Sequence, residues 1–154
     1  MTTQDLETIV TYIVDQGLKA IHANTDERDL LLDYMGIFTK NNEEYLQMVS
    51  VVKTLGVPAD KVATTSGVTY ILNEPIVTVA GSLKALKVRK YDPSRLQRGA
   101  PDFQVEDFQA FKEKYLSQGH NFTLMVRKEF EALELKGEDV LVYFPNILFE
   151  ERQR

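Results

Sequence analysis

Two similar stretches decide the fold of this chain: DYMGIFTKNNEEYLQMVSVVKTLG at residues 33–56 and DFQVEDFQAFKEKYLSQG at residues 102–119. Each begins with an aspartate and a short strand pattern, and continues with acidic residues, an apolar helical stripe and a closing glycine. About three further strand patterns follow each copy. Strand–helix alternation is common enough to arise by coincidence, but a recurring order of elements favours a duplication. We therefore predict two βαβββ modules, at residues 30–92 and 100–145.

The rest of the chain fits around these modules in a single domain of residues 1–154. Residues 1–29 are predicted to form a helical extension, in which Gly17 weakens the helix. Pro75 is expected to separate two of the strands that follow the first copy, VTYIL and IVTV. The C-terminal FEERQR is expected to be a solvated end. The predicted fold class is α+β, with a cupped mixed sheet and helices on its outer face.

Composition limits the classes of function. The net charge of −5 provides no global basic field, so nucleic acid is not an expected partner. No stretch has the roughly 18 consecutive apolar residues of a membrane span, and the chain has no cysteine for disulfides or thiolate metal sites. We expect a cytoplasmic protein, and the sequence leaves its oligomeric state open.

The paired βαβββ layout resembles the vicinal-oxygen-chelate superfamily, which includes glyoxalase I, extradiol dioxygenases and bleomycin-resistance proteins. The resemblance covers residues 30–145. Within the superfamily, several features look like the YecM-type branch of metal-binding proteins. They are the N-terminal helix, the stretch at residues 33–56, YILNEPIVTV, the charged loop ending at Gly99 and the strand PDFQV. The resemblance implies a ligand site in the cup, meaning the concave face of the sheet.

Strand alternation assigns side chains to the cup, because helices cover the other face of the sheet and successive residues alternate between faces. If Met35 and Ile37 pack under the helices, Tyr34, Gly36 and Phe38 face the cup. The strand LKALKVRKY has two readings, since either Leu86 and Val88 or Lys87 and Arg89 could face inward. Burying the apolar pair favours the second reading. The predicted ligand-binding residues are Tyr34, Tyr70, Lys87, Arg89, Asp102, Gln104, Glu134 and Tyr143.

The metal chemistry that the resemblance implies lacks its usual ligands here. Enzymes of that architecture hold a divalent metal with histidines and a carboxylate, whereas the matching first- and fifth-strand positions are Tyr34 and Asp102. With Glu134 they form an oxygen set that binds zinc, iron or nickel weakly. His22 and His120 are expected to have hydrogen-bonding roles at a helix end and in a loop. We therefore expect no cofactor, with a divalent metal at Tyr34, Asp102 and Glu134 as the alternative.

The segment KVRKYDPSRLQRG, with Lys84 just before it, concentrates basic residues: Lys84, Lys87, Arg89, Lys90, Arg95 and Arg98. This pattern suits either an anion site or a charged, solvated strand and loop.

Three functions follow from the sequence. The first is binding of a small polar or anionic molecule in the cup without the usual histidine metal site. The second is a metal-dependent lyase or dioxygenase with atypical ligands. The third is a structural or partner-binding protein whose cup is filled by its own side chains.

Overall fold

The computed structural model describes residues 1–59, 65–119 and 121–153. This part of the chain forms one mixed sheet with four helices. The helices are α1 (Thr3–Asn24), α2 (Asn42–Leu55), α3 (Phe108–Gln118) and α4 (Phe149–Arg152). The strands are β1 (Leu32–Phe38), β2 (Gly56–Pro58), β3 (Gly67–Thr78), β4 (Gly81–Arg89), β5 (Gly99–Phe103), β6 (Phe122–Val126), β7 (Glu131–Lys136) and β8 (Leu141–Pro145).

The strand order β2-β3-β4-β1-β5-β8-β7-β6 contains the same arrangement twice. In each half the first strand pairs in parallel with the last, β1 with β4 and β5 with β8. The last three strands of each half are joined by antiparallel pairing. The two halves meet where β1 and β5 pair antiparallel. The predicted α+β fold of two βαβββ modules and a cupped mixed sheet is confirmed.

Helices α1, α2 and α3 cover one face of the sheet and share one apolar core with it. Each begins at an N-cap residue whose side chain accepts a hydrogen bond from a backbone N–H of the first turn. The caps are Thr2, Asn41 and Asp107. Helix α1 is continuous through Gly17, contrary to the expected weakness there. A Cβ on Gly17 would lie 3.0 Å from the Pro101 side chain, so the glycine allows α1 to approach β5 closely.

Two local predictions are wrong. Pro75 does not separate two strands, because β3 runs through it and absorbs it in a register shift between Ile71 and Ile76. Proline has no N–H for the sheet and is tolerated at such irregularities. Residues 149–152 are not a solvated end but form α4, from which Phe149 and Arg152 line the cup.

Candidate ligand-binding site

The concave face of the sheet encloses a cavity of about 550 Å³, within the range of roughly 300–1,000 Å³ typical of ligand sites. Its strand residues are Tyr34, Gly36, Phe38, Thr69, Lys87, Arg89, Ala100, Asp102, Met125, Ala132 and Tyr143. Loops and α4 complete the wall with Arg95, Arg127, Lys128, Glu129, Phe130, Phe149, Arg152 and Gln153. These residues define the cup.

The cup is cationic although the protein is acidic. Among the described residues that line it, six are basic, namely Lys87, Arg89, Arg95, Arg127, Lys128 and Arg152, whereas Asp102 and Glu129 are acidic. The whole chain carries a net charge of −5. A concave, partly apolar wall concentrates the field of such a cluster, so the cup attracts anions.

Arg89 and Arg95 form the basic end of the cup around Phe38. Their guanidinium carbons lie 5.3 Å and 5.8 Å from the centroid of the Phe38 ring. Within residues 1–59, 65–119 and 121–153, neither guanidinium has a carboxylate at salt-bridge distance. Burial, followed by the neighbouring Arg95, lowers the pKa of Arg89 from its usual value. Both guanidinium groups can therefore offer hydrogen-bond donors to an incoming anion.

Asp102 and Arg152 form the acidic end of the cup beside Tyr34. Arg152 Nη2 donates to Asp102 Oδ2 at 3.1 Å, and its guanidinium carbon lies 4.6 Å from the Phe130 ring centroid. The Tyr34 ring stacks on Phe149 with centroids 4.4 Å apart. Burial raises the pKa of Asp102 to about 7, and the adjacent Arg152 opposes that rise. The Arg152 guanidinium of α4 therefore occupies this end of the cup.

Two tyrosine hydroxyls between the ends are already hydrogen-bonded. The Tyr34 hydroxyl shares a 2.7 Å hydrogen bond with Thr69 Oγ1, and the Tyr143 hydroxyl donates to Glu134 Oε2 at 2.7 Å. Burial raises the pKa of both phenols above their usual value, so both are neutral near pH 7. They supply polar surface without adding charge.

Lys87 lies near the middle of the cup, where it is opposite Gly36 of β1 in the parallel pair. Its Nζ donates to Ser66 Oγ at 2.9 Å. Burial and, secondarily, the positive charge of Arg89 lower the pKa of Lys87 to about 8. Its ammonium group is therefore easier to deprotonate than that of a solvated lysine.

The structure places five of the predicted site residues in the cup: Tyr34, Lys87, Arg89, Asp102 and Tyr143. Glu134 does not line the cup directly but accepts the Tyr143 hydrogen bond. Gln104 follows the end of β5, where its backbone N–H donates to Leu31 O at 2.8 Å, and it does not line the cup.

The prediction that Tyr70 faces the cup is wrong. Tyr70 is 3% exposed and packs in the core beneath the helices, opposite Leu86 in the β3–β4 register. Its neighbour Thr69 lines the cup instead. The alternation of Val68, Tyr70 and Leu72 was the available signal, because these three apolar residues share one strand face.

Arg98 belongs to the basic segment but not to the cup. It is 8% exposed and forms a bidentate ion pair with Glu44, in which Nη1 lies 2.6 Å from Oε1 and Nη2 lies 3.2 Å from Oε2. Nη1 also donates to Phe38 O at 3.0 Å. Arg98 therefore ties the loop before β5 to α2.

Sequence reasoning missed Phe149, Arg152 and Phe130 as cup residues. Phe149 and Arg152 lie in a short charged terminus, and Phe130 lies in the β6–β7 turn. The terminus has no strand periodicity from which a direction could be predicted. Phe130, in contrast, alternates in step with Ala132 of β7, which also lines the cup, so its direction could have been predicted. Arg95 was noted for its charge, but the loop that carries it likewise has no repeating pattern.

The donors that a divalent metal would need do not fit here. Among the described residues no group of three or more His, Cys, Asp or Glu side chains is placed to hold a metal ion. Asp102 already holds the Arg152 guanidinium, and Glu134 accepts from Tyr143. His22 is exposed in the last turn of α1, and His120 lies outside the described residues.

Comparisons with known proteins identify the fold but no function. No protein-family model matches the sequence, and a search of curated proteins gives no match. A solved structure described as "Structural Genomics, Protein EC4020" is similar in fold, with a TM-score of 0.65 and 11% sequence identity. The similarity covers 94% of this chain and 91% of that chain. At this identity it shows a shared fold alone.

No helix within residues 1–59, 65–119 and 121–153 combines the length and the apolar character needed to cross a bilayer.

Proposed function

We propose that this protein binds a small organic anion in the cup. The observation that carries the proposal is the excess of basic over acidic side chains, six against two, among the described residues that line the cup, in a chain of net charge −5. Charge of one sign gathered in a concave site, against the sign of the whole molecule, favours a ligand of the opposite sign.

The basic end is the part of the cup best suited to the anionic group. Arg98 is satisfied by Glu44, whereas Arg89 and Arg95 have no carboxylate partner among the described residues. A guanidinium presents a planar fork of donors that matches the geometry of a carboxylate or phosphate. We therefore assign the ligand's charged group to Arg89 and Arg95.

The rest of the cup suits an apolar or weakly polar body. Gly36, Ala100 and Ala132 contribute only small groups to its wall, while Met125 and Tyr143 offer larger apolar surface. From Tyr34 to Phe38 the cup extends along five residues of β1, which are four steps of roughly 3.3 Å or about 13 Å in total. A ligand of a few to about a dozen heavy atoms matches this length.

The alternatives have less support. A cavity of about 550 Å³ favours a ligand over a cup filled by its own side chains. An atypical metal enzyme would have to compete for Asp102 and Glu134 with their present partners. Membership of the vicinal-oxygen-chelate superfamily, in its YecM-type branch, remains a proposal supported by the duplicated βαβββ layout. A cytoplasmic location remains a proposal as well, supported by the absence of cysteine.

Thermal unfolding with candidate anions tests the proposal. Succinate, 2-oxoglutarate and inorganic phosphate represent the carboxylate and phosphate classes. A ligand at one hundred times its Kd stabilises the folded state by about 2.7 kcal/mol, which raises Tm by roughly 5–10 °C in a chain of this size.

Two variants test whether the increase in Tm arises from anion binding in the cup. Arg89→Ala is expected to remove most of the Tm increase, because it removes a donor to the anion. Lys84→Ala is the matched control, since it removes one charge from an exposed position of the same strand outside the cup. No stabilisation by any of the three anions, or equal loss in both variants, would contradict the proposal.

A further inference from the structure

We propose that Lys87 is a nucleophilic amine that forms an imine with the carbonyl group of an oxo acid bound in the cup. The inference rests on the proposed anion-binding function and narrows its ligand class to oxo acids. The carboxylate of the oxo acid would bind Arg89 and Arg95, and its keto carbon would lie beside the Lys87 amine.

The position of Lys87 gives a carbonyl compound access to its amine. Lys87 lines the cup at the level of Gly36, the residue opposite it on β1. A Cβ on Gly36 would have its nearest heavy atom 3.8 Å away, in the Phe38 ring, so the space above the glycine is open. A ligand lying over Gly36 would therefore be beside the Lys87 side chain.

The spacing between Lys87 and Arg89 suits a carbonyl close to a carboxylate. The two residues are separated by one position on β4 and line the same cavity, with Cα atoms roughly 6.6 Å apart. Their flexible side chains can converge on adjacent atoms of one small molecule. A 2-oxo acid, in which the two groups are neighbours, satisfies both residues.

The surroundings of Lys87 increase the share of its neutral, nucleophilic form relative to a solvated lysine. Burial and the Arg89 cation lower its pKa to about 8, and partial desolvation beside a second cation is a known means of activating lysine amines. Arg95 adds positive charge at the basic end, while Tyr34 and Tyr143 are neutral phenols. Asp102 lies at the acidic end beside Arg152, and Ser66 accepts a hydrogen bond from Lys87 Nζ.

The proposed reaction needs no oxidant, reductant or metal. The neutral amine of Lys87 forms a C–N bond to the carbonyl carbon and gives a carbinolamine. This intermediate then loses water, whose oxygen comes from the carbonyl and whose two hydrogens come from the amine nitrogen. The product is a C=N bond between Lys87 and the acid, and hydrolysis reverses it.

Reductive trapping tests the imine directly. The protein is incubated at pH 8 with pyruvate, phenylpyruvate or 2-oxoglutarate and sodium cyanoborohydride, which converts an imine into a stable secondary amine. Intact-mass measurement and peptide mapping are expected to show one adduct per chain, on Lys87, for at least one of these acids. Succinate, which has no keto group, is expected to suppress the adduct by competition.

Two substitutions distinguish the role of Lys87 as a nucleophile from the role of its positive charge. Lys87→Arg keeps the positive charge and removes the amine, so the adduct yield should fall at least tenfold. Lys84→Arg makes the same exchange at the exposed position and should leave the yield unchanged. If Lys87→Arg does not fold, mapping and succinate competition on the wild-type protein remain decisive.

Calorimetry of the wild-type protein with the same acids, without reductant, distinguishes the two proposals. Binding without an adduct on Lys87 would overturn the imine and leave the anion site standing. Adducts spread evenly over several lysines would also overturn the imine. No binding and no adduct would overturn both proposals.

Discussion

At the scale of the residue, Asp102 is a carboxyl group whose protonation is coupled to folding. Burial raises its folded-state pKa from 3.8 to about 7, so between these values the folded state binds more protons than the unfolded state. Its contribution to the free energy of unfolding is therefore complete below about pH 4 and is lost as pH rises toward 7. The Arg152 ion pair offsets part of that loss once Asp102 is ionised.

We expect Asp102→Asn to change the pH dependence of stability. The free energy of unfolding of the wild type minus that of the variant should fall between pH 5 and pH 8, by about 1 kcal/mol or more, because the variant has no carboxyl to ionise. Urea unfolding at both pH values measures this difference. Asp15→Asn, on the exposed face of α1, is the control and should show no such trend. A difference that stays constant or grows with pH would refute the coupling.

Truncation of Arg98 is expected to affect mainly stability, whereas truncation of Arg95 is expected to affect mainly anion binding. Arg98→Ala should lower the free energy of unfolding by about 3–5 kcal/mol, because it leaves Glu44 without its partially buried ion-pair partner. Arg95→Ala should change stability by about 0.5 kcal/mol or less but weaken anion binding roughly tenfold. Urea unfolding and calorimetry of the two variants supply both numbers. Similar losses of stability would show that Arg95 is also structural.

Alternation along strands predicted the direction of most cup residues because one sheet face is covered by helices. It placed Tyr34, Lys87 and Asp102 correctly, since each has at least one apolar neighbour on its strand that packs in the core. These neighbours are Met35, Leu86, Val88 and Phe103. The direction of Tyr70 was predicted wrongly because a tyrosine side chain suits either face of a sheet. The apolar residues Val68 and Leu72, which lie on the same strand face as Tyr70, indicate the face that is buried. Side chains on loops, such as Arg95, have no such periodicity.

At the scale of the element, α4 is held in place by its side chains rather than by its length. The Phe149 ring stacks on Tyr34, the Phe149 N–H donates to Asp33 Oδ2 at 2.8 Å, and Arg152 pairs with Asp102. A helix of four residues has little stability of its own. Its contacts with β1 and β5 therefore decide whether it stays folded.

We expect Phe149→Ala to release α4 from the cup, because the lost stacking contact is worth about 0.5–1.5 kcal/mol. Release exposes Arg152, whose side chain is 15% exposed in the intact protein. Trypsin should then cleave after Arg152 several times faster, which mass spectrometry detects as loss of the last two residues. Leu116→Ala on α3 is the control. An unchanged cleavage rate would mean that Arg152 alone holds the segment.

Helix boundaries and most strands could be predicted from local patterns, whereas the exceptions depend on distant contacts. The caps Thr2 and Asn41, for example, are residue types that favour helix N-termini, and each precedes a helical apolar pattern. Strand β3 continues through Pro75 because β4 supports it on both sides of the register shift. The docking of α4 depends on Asp33 and Tyr34, more than a hundred positions earlier in the chain, and on Asp102, fifty positions earlier. No local pattern contains such contacts.

At the scale of the whole molecule, the duplication creates the cup. Pairing of β1 with β5 joins the two βαβββ modules side by side, and the covered face of the joined sheet lies under α1, α2 and α3. The internal repeat predicted this arrangement and the location of the cavity. The excess positive charge was only partly predictable, because Arg127, Lys128 and Arg152 join the cup from loops and the terminus.

A large side chain at Gly36 should fill the cup and abolish anion binding without unfolding the protein. A Cβ on Gly36 would be 3.8 Å from the Phe38 ring and 4.0 Å from Ala100 O, which is ordinary contact. We expect Gly36→Leu to keep the free energy of unfolding within about 1 kcal/mol of the wild type, since the added side chain enters open space. Its Tm should no longer respond to anions, whereas Gly36→Ala should retain most of the response. Full binding by Gly36→Leu would place the site elsewhere.

The most direct test of the anion site is a nuclear magnetic resonance titration of the ¹⁵N-labelled protein with 2-oxoglutarate. We expect saturable shifts that are largest at the backbone amides of Gly36, Arg89 and Ala100 and small on α1 and α2. Shifts confined to the helical face, or none at millimolar ligand, would contradict the claim that the cup binds a small organic anion.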